Sequence, residues 1–153
     1  MKLNYEDPNA ENLSDYLLVD CRGRGEILTN LKLQKLLFYA DAWSLALRDK
    51  ELINEQFQAW VHGPVLPSQY HRFKSYKWMP IQYYAIAPTY EPEVVAHLDE
   101  IITEFGSESA VALELMTHRE KPWLEARGDL LPSEPSEELI SKETTRDYYR
   151  TLM

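Results

Sequence analysis

Apolar residues recur at helical spacing after Thr29, and this pattern restricts the fold more than any other feature of the chain. The residues are Leu33, Leu36, Leu37, Ala40, Trp43 and Leu47. Thr29 is a suitable N-cap for this helix. Gln34, Asp41 and Arg48 recur every seven residues, and with Ser44 they predict only a narrow polar strip that faces water. A helix this apolar is expected to be the central element of the fold.

Shorter segments with the same periodicity predict further helices along the chain. The first covers residues 13–20, with Asn12 or Ser14 as its N-cap and glycines after it. Proline favours the first turn of a helix, and serine favours the N-cap. One helix is predicted from Pro67 to a point before Pro80, and another from Pro92 to Gly106. Ser107 or Ser109 is predicted to cap the next helix, and Ser141 the last one. Between these two, Pro122 is predicted to start a short turn that Gly128 closes.

One segment has the period of a strand. Residues 56–61 alternate between an apolar face and a face that carries Trp60, and Gly63 and Pro64 are expected to stop the strand. Residues 81–89 fit either a second strand or an extended arm. The predicted fold class is mainly α (α+β), a compact helical domain around a central apolar helix with a small antiparallel β element.

Composition limits the classes of protein that this chain can represent. A length of 153 residues with 44% hydrophobic residues fits one folded domain over residues 1–153. The net charge of −9 disfavours binding to nucleic acid or anionic lipid. A single cysteine, the polar first ten residues and the lack of a long apolar run predict a cytoplasmic protein with no disulfide and no membrane association.

The sequence has no arrangement typical of an active site. The four histidines, at positions 62, 71, 97 and 118, lack the paired spacing of a zinc site, and His97 is expected to be structural. Cys21 has no neighbouring histidine and is expected to be buried and inert. We therefore expect no catalytic residue, no metal, no cofactor and no enzyme activity. A hydrolase or nuclease based on His62 or His118 is kept as the weakest alternative.

Lys32, Lys35 and Tyr39 lie on one face of the predicted central helix, at i, i+3 and i+7. Two ammonium groups on a mostly buried element have two explanations. Their aliphatic stems can cover apolar surface while the charged heads reach water. Alternatively, the three side chains form a site for an acidic group of a partner.

Trp60, His62, Gly63 and Pro64 form a second candidate group, in which an aromatic strand enters a Gly-Pro turn. A tight turn after an edge strand explains the glycine and the proline by backbone geometry alone. Trp60 is either an ordinary core residue or an anchor for a protein partner, because tryptophan is common at the centres of interfaces.

A third candidate group combines basic and aromatic residues within an otherwise acidic protein. Its members are His71, Arg72, Lys74, Tyr76, Lys77 and Trp78. A solvated helix face, a protein-binding surface and a surface for single-stranded nucleic acid all fit this composition.

Three motifs in this order resemble the Panacea, or SocA-like, antitoxin domain of phage-associated proteins. They are Leu-Lys-Leu-Gln-Lys-Leu-Leu-Phe-Tyr-Ala at residues 31–40 with Trp43, Ala-Trp-Val-His-Gly-Pro-Val at 59–65, and Thr-His-Arg-Glu at 117–120 followed by Pro122-Trp123 and Ala126-Arg127. The resemblance covers nearly the whole chain, from about Leu13 to the C-terminal Tyr148-Tyr149.

The resemblance implies an antitoxin of a bacterial or prophage toxin–antitoxin system, which neutralises a cognate toxin by direct contact. The alternative is a proteolytic adaptor that delivers the toxin to a cytosolic AAA+ protease. The expected partner is the toxin, with the protease and a homodimer left open. The candidate partner-binding residues are Lys32, Lys35, Tyr39, Trp60, His62, Pro64, Lys77 and Trp78.

Overall fold

A computed structural model describes residues 8–153. Within this range the protein has seven α-helices, one two-stranded antiparallel sheet and one short 3₁₀ turn. The elements are α1 (Ala10–Gly23), α2 (Asn30–Arg48), β1 (Gln58–Trp60), β2 (Gly63–Val65), α3 (Pro67–Arg72), the 3₁₀ turn (Lys74–Tyr76), α4 (Pro92–Phe105), α5 (Ala110–Thr117), α6 (Lys121–Arg127) and α7 (Lys142–Arg150). The predicted fold class is confirmed.

Helix α2 is the central element, as its apolar pattern predicts. It packs against α1, α3, α4, α5, α7 and β2. Thr29 caps it by accepting a hydrogen bond from the backbone N–H of Lys32. Leu33, Leu36 and Leu37 have no exposed surface. They belong to one cluster of buried apolar side chains that joins α2 to α1, α4, α5 and α7.

The predicted solvent strip on α2 is wrong, because Gln34, Asp41 and Ser44 are buried. Gln34 accepts a hydrogen bond of 2.8 Å from the backbone N–H of Leu66. Asp41 accepts hydrogen bonds from two backbone N–H groups and from the Nζ atom of Lys142. These polar side chains bind loops that pack over α2, and such partners cannot be read from the periodicity of one helix.

The strand prediction is confirmed for β1, but Gly63 and Pro64 do not end the β structure. They begin β2, in which Ala59 pairs with Pro64 and Trp60 with Gly63. Gly63 has a positive φ of 103°, which allows this tight reversal. Residues 81–88 form no regular secondary structure, so they are not a second strand.

Several helix boundaries agree with the predicted caps. Ser109 and Ser141 cap α5 and α7, and Gly106 and Gly128 end α4 and α6. The N-cap of α1 is Asn9, so the prediction of Asn12 or Ser14 is wrong. The helix predicted from Pro67 stops at Arg72 and continues as the 3₁₀ turn.

Cys21 and His97 are both buried. Cys21 is a buried free thiol, and burial raises its pKa to about 11. His97 is buried, and its Nε2 atom lies 3.0 Å from the carbonyl oxygen of Ala40. None of the helices within residues 8–153 is long and apolar enough to cross a membrane.

Candidate functional site

The β hairpin formed by β1 and β2 lies over α2 and is fixed to it by Lys35. This lysine is completely buried, and its Nζ atom donates a hydrogen bond of 3.0 Å to the carbonyl oxygen of Pro64. A Cβ atom on Gly63 would lie 2.6 Å from Cε of Lys35 and 2.8 Å from Oγ1 of Thr117. The lysine stem therefore occupies the space that any side chain at position 63 would need.

Burial makes Lys35 an unusual lysine. Removal from water lowers its pKa to about 7, although the carboxylate of Glu114 acts in the opposite direction. The head of Lys35 does not reach water, which contradicts the explanation that a lysine here extends to solvent. Lys32 is also buried, with Nζ 3.7 Å from Oε2 of Glu26.

Tyr39 belongs to a hydrogen-bonded group that joins α2 and α7 to the N-cap residue of α6. Its hydroxyl donates to Oε1 of Glu120 at 2.5 Å, and the hydroxyl of Tyr149 donates to the same oxygen at 2.9 Å. Burial raises the pKa of Glu120, while the two phenols lower it. Burial and the nearby Glu120 charge raise the pKa of Tyr39, so this phenol remains a donor at neutral pH.

Helix α6 holds the hairpin from its other side. The indole Nε1 of Trp123 donates to the carbonyl oxygen of Trp60 at 2.8 Å, and Arg127 donates to that of Ala59 at 2.9 Å. The Arg127 guanidinium also lies over the Trp123 ring, and His118 stacks on that ring at 4.1 Å. The three sequence motifs thus converge around the hairpin.

Two predicted residues are accessible on the hairpin. Trp60 is half-buried and its ring meets that of Tyr70 at 4.9 Å between centroids. His62 has a side chain that is 68% exposed, and its Nδ1 lies 3.1 Å from Oε1 of Glu114. Both residues line a depression of about 260 Å³, together with Val61 and residues 135–137. The rigid support beneath the hairpin fixes the position of this depression.

Lys77 and Trp78 form a separate exposed feature after the 3₁₀ turn. Trp78 is 79% exposed, and Lys77 has a φ of 55° with a ψ of −121°, which is strained for a residue with a Cβ. No hydrogen bond or ring contact joins them to Trp60 or His62 in the part of the chain that the structure describes. Residues 56–90 contain no Asp or Glu, so this surface lies in a carboxylate-free segment of an acidic protein.

The predicted set therefore separates into a buried and an exposed group. Lys32, Lys35, Tyr39 and Pro64 are buried in the scaffold. The exposed or half-exposed members are Trp60, His62, Lys77 and Trp78.

Four further residues bind the hairpin or Tyr39, and the sequence-based candidates did not include them. They are Glu114, Glu120, Trp123 and Arg127. Three of them, Glu120, Trp123 and Arg127, belong to the third motif, and this motif was the sequence feature that could have identified them. Among residues 8–153, no group of three or more His, Cys, Asp or Glu side chains is arranged to hold a metal ion.

Comparison with known proteins identifies the family to which this chain belongs. The chain belongs to the family of SocA-like antitoxins with a Panacea domain, and the family profile matches residues 33–124. This range begins in α2 and ends in α6, so it includes the hairpin, Lys35 and Trp123, whereas Arg127 lies just beyond it.

One curated protein is similar to part of this chain. The chain is 34% identical over 73 residues to antitoxin SocA of Caulobacter vibrioides. The similar region covers 46% of this chain and 39% of SocA, so the chain matches well under half of the length of this relative. No solved structure matches the chain.

Proposed function

We propose that this protein is an antitoxin that neutralises a cognate toxin by direct protein–protein binding, without a catalytic step of its own. The observation that carries the proposal is the family profile over residues 33–124, which includes the hairpin, Lys35 and Trp123. The similarity to antitoxin SocA supports the same role.

The toxin is proposed to contact the exposed members of the candidate set. Trp60 and His62 are presented by a hairpin that α2 and α6 hold in place, so binding would cost little ordering of this element. Trp78 is a large apolar side chain that is 79% exposed, and tryptophan is enriched among residues that dominate binding energy. The strained backbone at Lys77 presents Trp78 to solvent, and strain of this kind concentrates at functional sites.

The buried members of the set act on the toxin only through the scaffold in this proposal. Lys35 fixes the hairpin to α2, and Tyr39 fixes α2 to Glu120. Substitution of Lys35 or Tyr39 would displace the exposed residues, and it would not remove a direct contact with the toxin.

Co-expression with the gene adjacent to the coding sequence tests the proposal. We expect the neighbouring product to arrest growth when it is induced alone, and we expect growth to recover and the two proteins to copurify when both are induced. Persistent arrest in the presence of the folded protein would refute the antitoxin role.

A pulse-chase of the toxin in the same strains tests the mode of neutralisation. Direct binding predicts an unchanged or longer toxin half-life when the antitoxin is present, because a bound protein is protected from unfolding. A shortened half-life would contradict neutralisation by binding alone.

A further inference from the structure

A groove lies between the C-terminal half of α2 and helix α4, and none of the residues proposed to face the toxin lines it. It has a volume of about 550 Å³, within the usual range of binding sites. Trp43 and Leu47 line it from α2, and Ile101 and Phe105 line it from α4. Leu47 is 49% exposed, so the groove leaves apolar surface open to solvent.

The floor of the groove is held rigidly by the core. Phe105 stacks on Tyr39 with ring centroids 4.5 Å apart and an interplanar angle of 7°. Trp43 packs against Tyr149 with centroids 5.2 Å apart. An occupant would therefore meet a surface that is already formed, which reduces the entropic cost of binding.

The rim of the groove is acidic. Glu100 and Glu104 are exposed and form no ion pair with any residue in the described range 8–153. Asp99 also lines the groove, but Arg24 binds it at 2.5 Å. Residues 78–118 contain seven Asp and Glu and no Lys or Arg, so no basic residue of α4 or α5 compensates the rim.

Two basic side chains at the C-terminal end of α2 are already paired. Arg48 and Lys50 approach Oε1 of Glu93 at 3.4 Å and 3.9 Å. Glu100 and Glu104 are consequently available to a cation from outside the chain.

We propose that this groove docks a cationic amphipathic helix of a partner protein. Apolar side chains at helical spacing would contact Trp43, Leu47 and Phe105, and flanking Lys or Arg residues would pair with Glu100 and Glu104. The lining residues of α4 extend from His97 to Phe105, which corresponds to about 12 Å, or roughly two helical turns. Nucleic acid does not fit, because the acidic rim repels phosphate.

The inference goes beyond the proposed function, since it concerns a different surface and names the chemistry of its occupant. A peptide experiment tests it without any toxin. The probe is a fluorescein-labelled peptide of about 18 Leu and Lys residues in amphipathic helical order, and the control is the same composition in scrambled order. Fluorescence anisotropy with the full-length protein at about 0.15 M salt measures both affinities.

We expect saturable binding of the amphipathic peptide, at least about tenfold tighter than that of the scrambled peptide, which corresponds to about 1.4 kcal/mol. Equal affinities would overturn the proposal, because attraction to the net charge of −9 alone does not depend on residue order. Failure of the amphipathic peptide to bind at about 100 μM protein would overturn it as well.

Charge-reversal variants locate the binding site. The double variant Glu100→Lys/Glu104→Lys should weaken binding by about tenfold or more, and Leu47→Ser should weaken it several-fold. The matched control Glu55→Lys/Asp129→Lys makes the same change in net charge at two exposed residues outside the groove. Circular dichroism would verify the fold of each variant.

An equal loss of affinity in the control would overturn the proposal, as would full affinity in the groove variant. Because no toxin is present, these outcomes are independent of the growth assay. If the peptide does not bind, the proposed antitoxin role is unaffected. If growth is not rescued, the proposed docking groove is unaffected.

Discussion

The ammonium group of Lys35 donates a hydrogen bond to the carbonyl oxygen of Pro64, and this contact joins the central helix to the hairpin. The lysine is fully buried, and its stem passes beneath Gly63. The hairpin position, the glycine and the lysine are therefore interdependent, and substitutions in this group should change stability in ways that the geometry predicts.

Gly63→Ala should destabilise the protein by about 2 kcal/mol or more, since φ is positive and the new Cβ would clash with Cε of Lys35. The matched control is Gly23→Ala, because Gly23 ends α1 and a Cβ atom on it would meet no other atom within 4 Å. Urea unfolding measures the free energy of unfolding of both variants. A loss in Gly63→Ala that is no greater than in Gly23→Ala would contradict this packing of the lysine stem against the hairpin.

Lys35→Met should change the pH dependence of stability. Burial lowers the pKa of Lys35 to about 7, so the unfolded chain binds more protons than the folded protein above that pH. The free energy of unfolding of the wild type should therefore rise relative to the variant from about pH 7 to about pH 10, by at most ~1.4 kcal/mol per pH unit.

Urea unfolding at several pH values measures this difference between wild type and Lys35→Met. Exposed Lys121 provides the control, and Lys121→Met should give a curve parallel to that of the wild type. Parallel curves for wild type and Lys35→Met would show that Lys35 is not held in a buried state.

Glu120→Ala should destabilise the protein by about 2–4 kcal/mol, because two buried phenols, those of Tyr39 and Tyr149, would lose their acceptor. Glu120→Gln should cost less, since the amide oxygen can still accept from a phenol. Thermal or urea unfolding ranks the variants. Equal destabilisation by Ala and Gln would mean that the charge of Glu120, rather than its acceptor oxygen, is the stabilising feature.

Trp78→Ala should leave stability within about 0.5 kcal/mol of the wild type, because the side chain is 79% exposed. It should nevertheless reduce toxin neutralisation in the co-expression assay. Leu131→Ala is the control, since Leu131 is 63% exposed and lies outside the proposed surface. Full neutralisation by Trp78→Ala would remove this residue from the proposed contact.

The candidate site was predictable in part. The motifs pointed to the hairpin and to α2, but the sequence alone did not separate scaffold residues from accessible ones. Lys35 and Trp78 illustrate the difficulty. A lysine is usually exposed and a tryptophan usually buried, whereas here the lysine is fully buried and the tryptophan is 79% exposed.

The sequence by itself determined the central helix, most helix caps and the first strand, because periodicity and capping depend on residues close together in the chain. Only the tertiary structure decided which polar residues face inward. Gln34 and Asp41 have the spacing of a solvent strip, yet they bind backbone groups of Leu66, Leu52 and Ile53. Hydrogen-bond partners that are distant in sequence can make burial of a polar group favourable, and the local pattern holds no information about them.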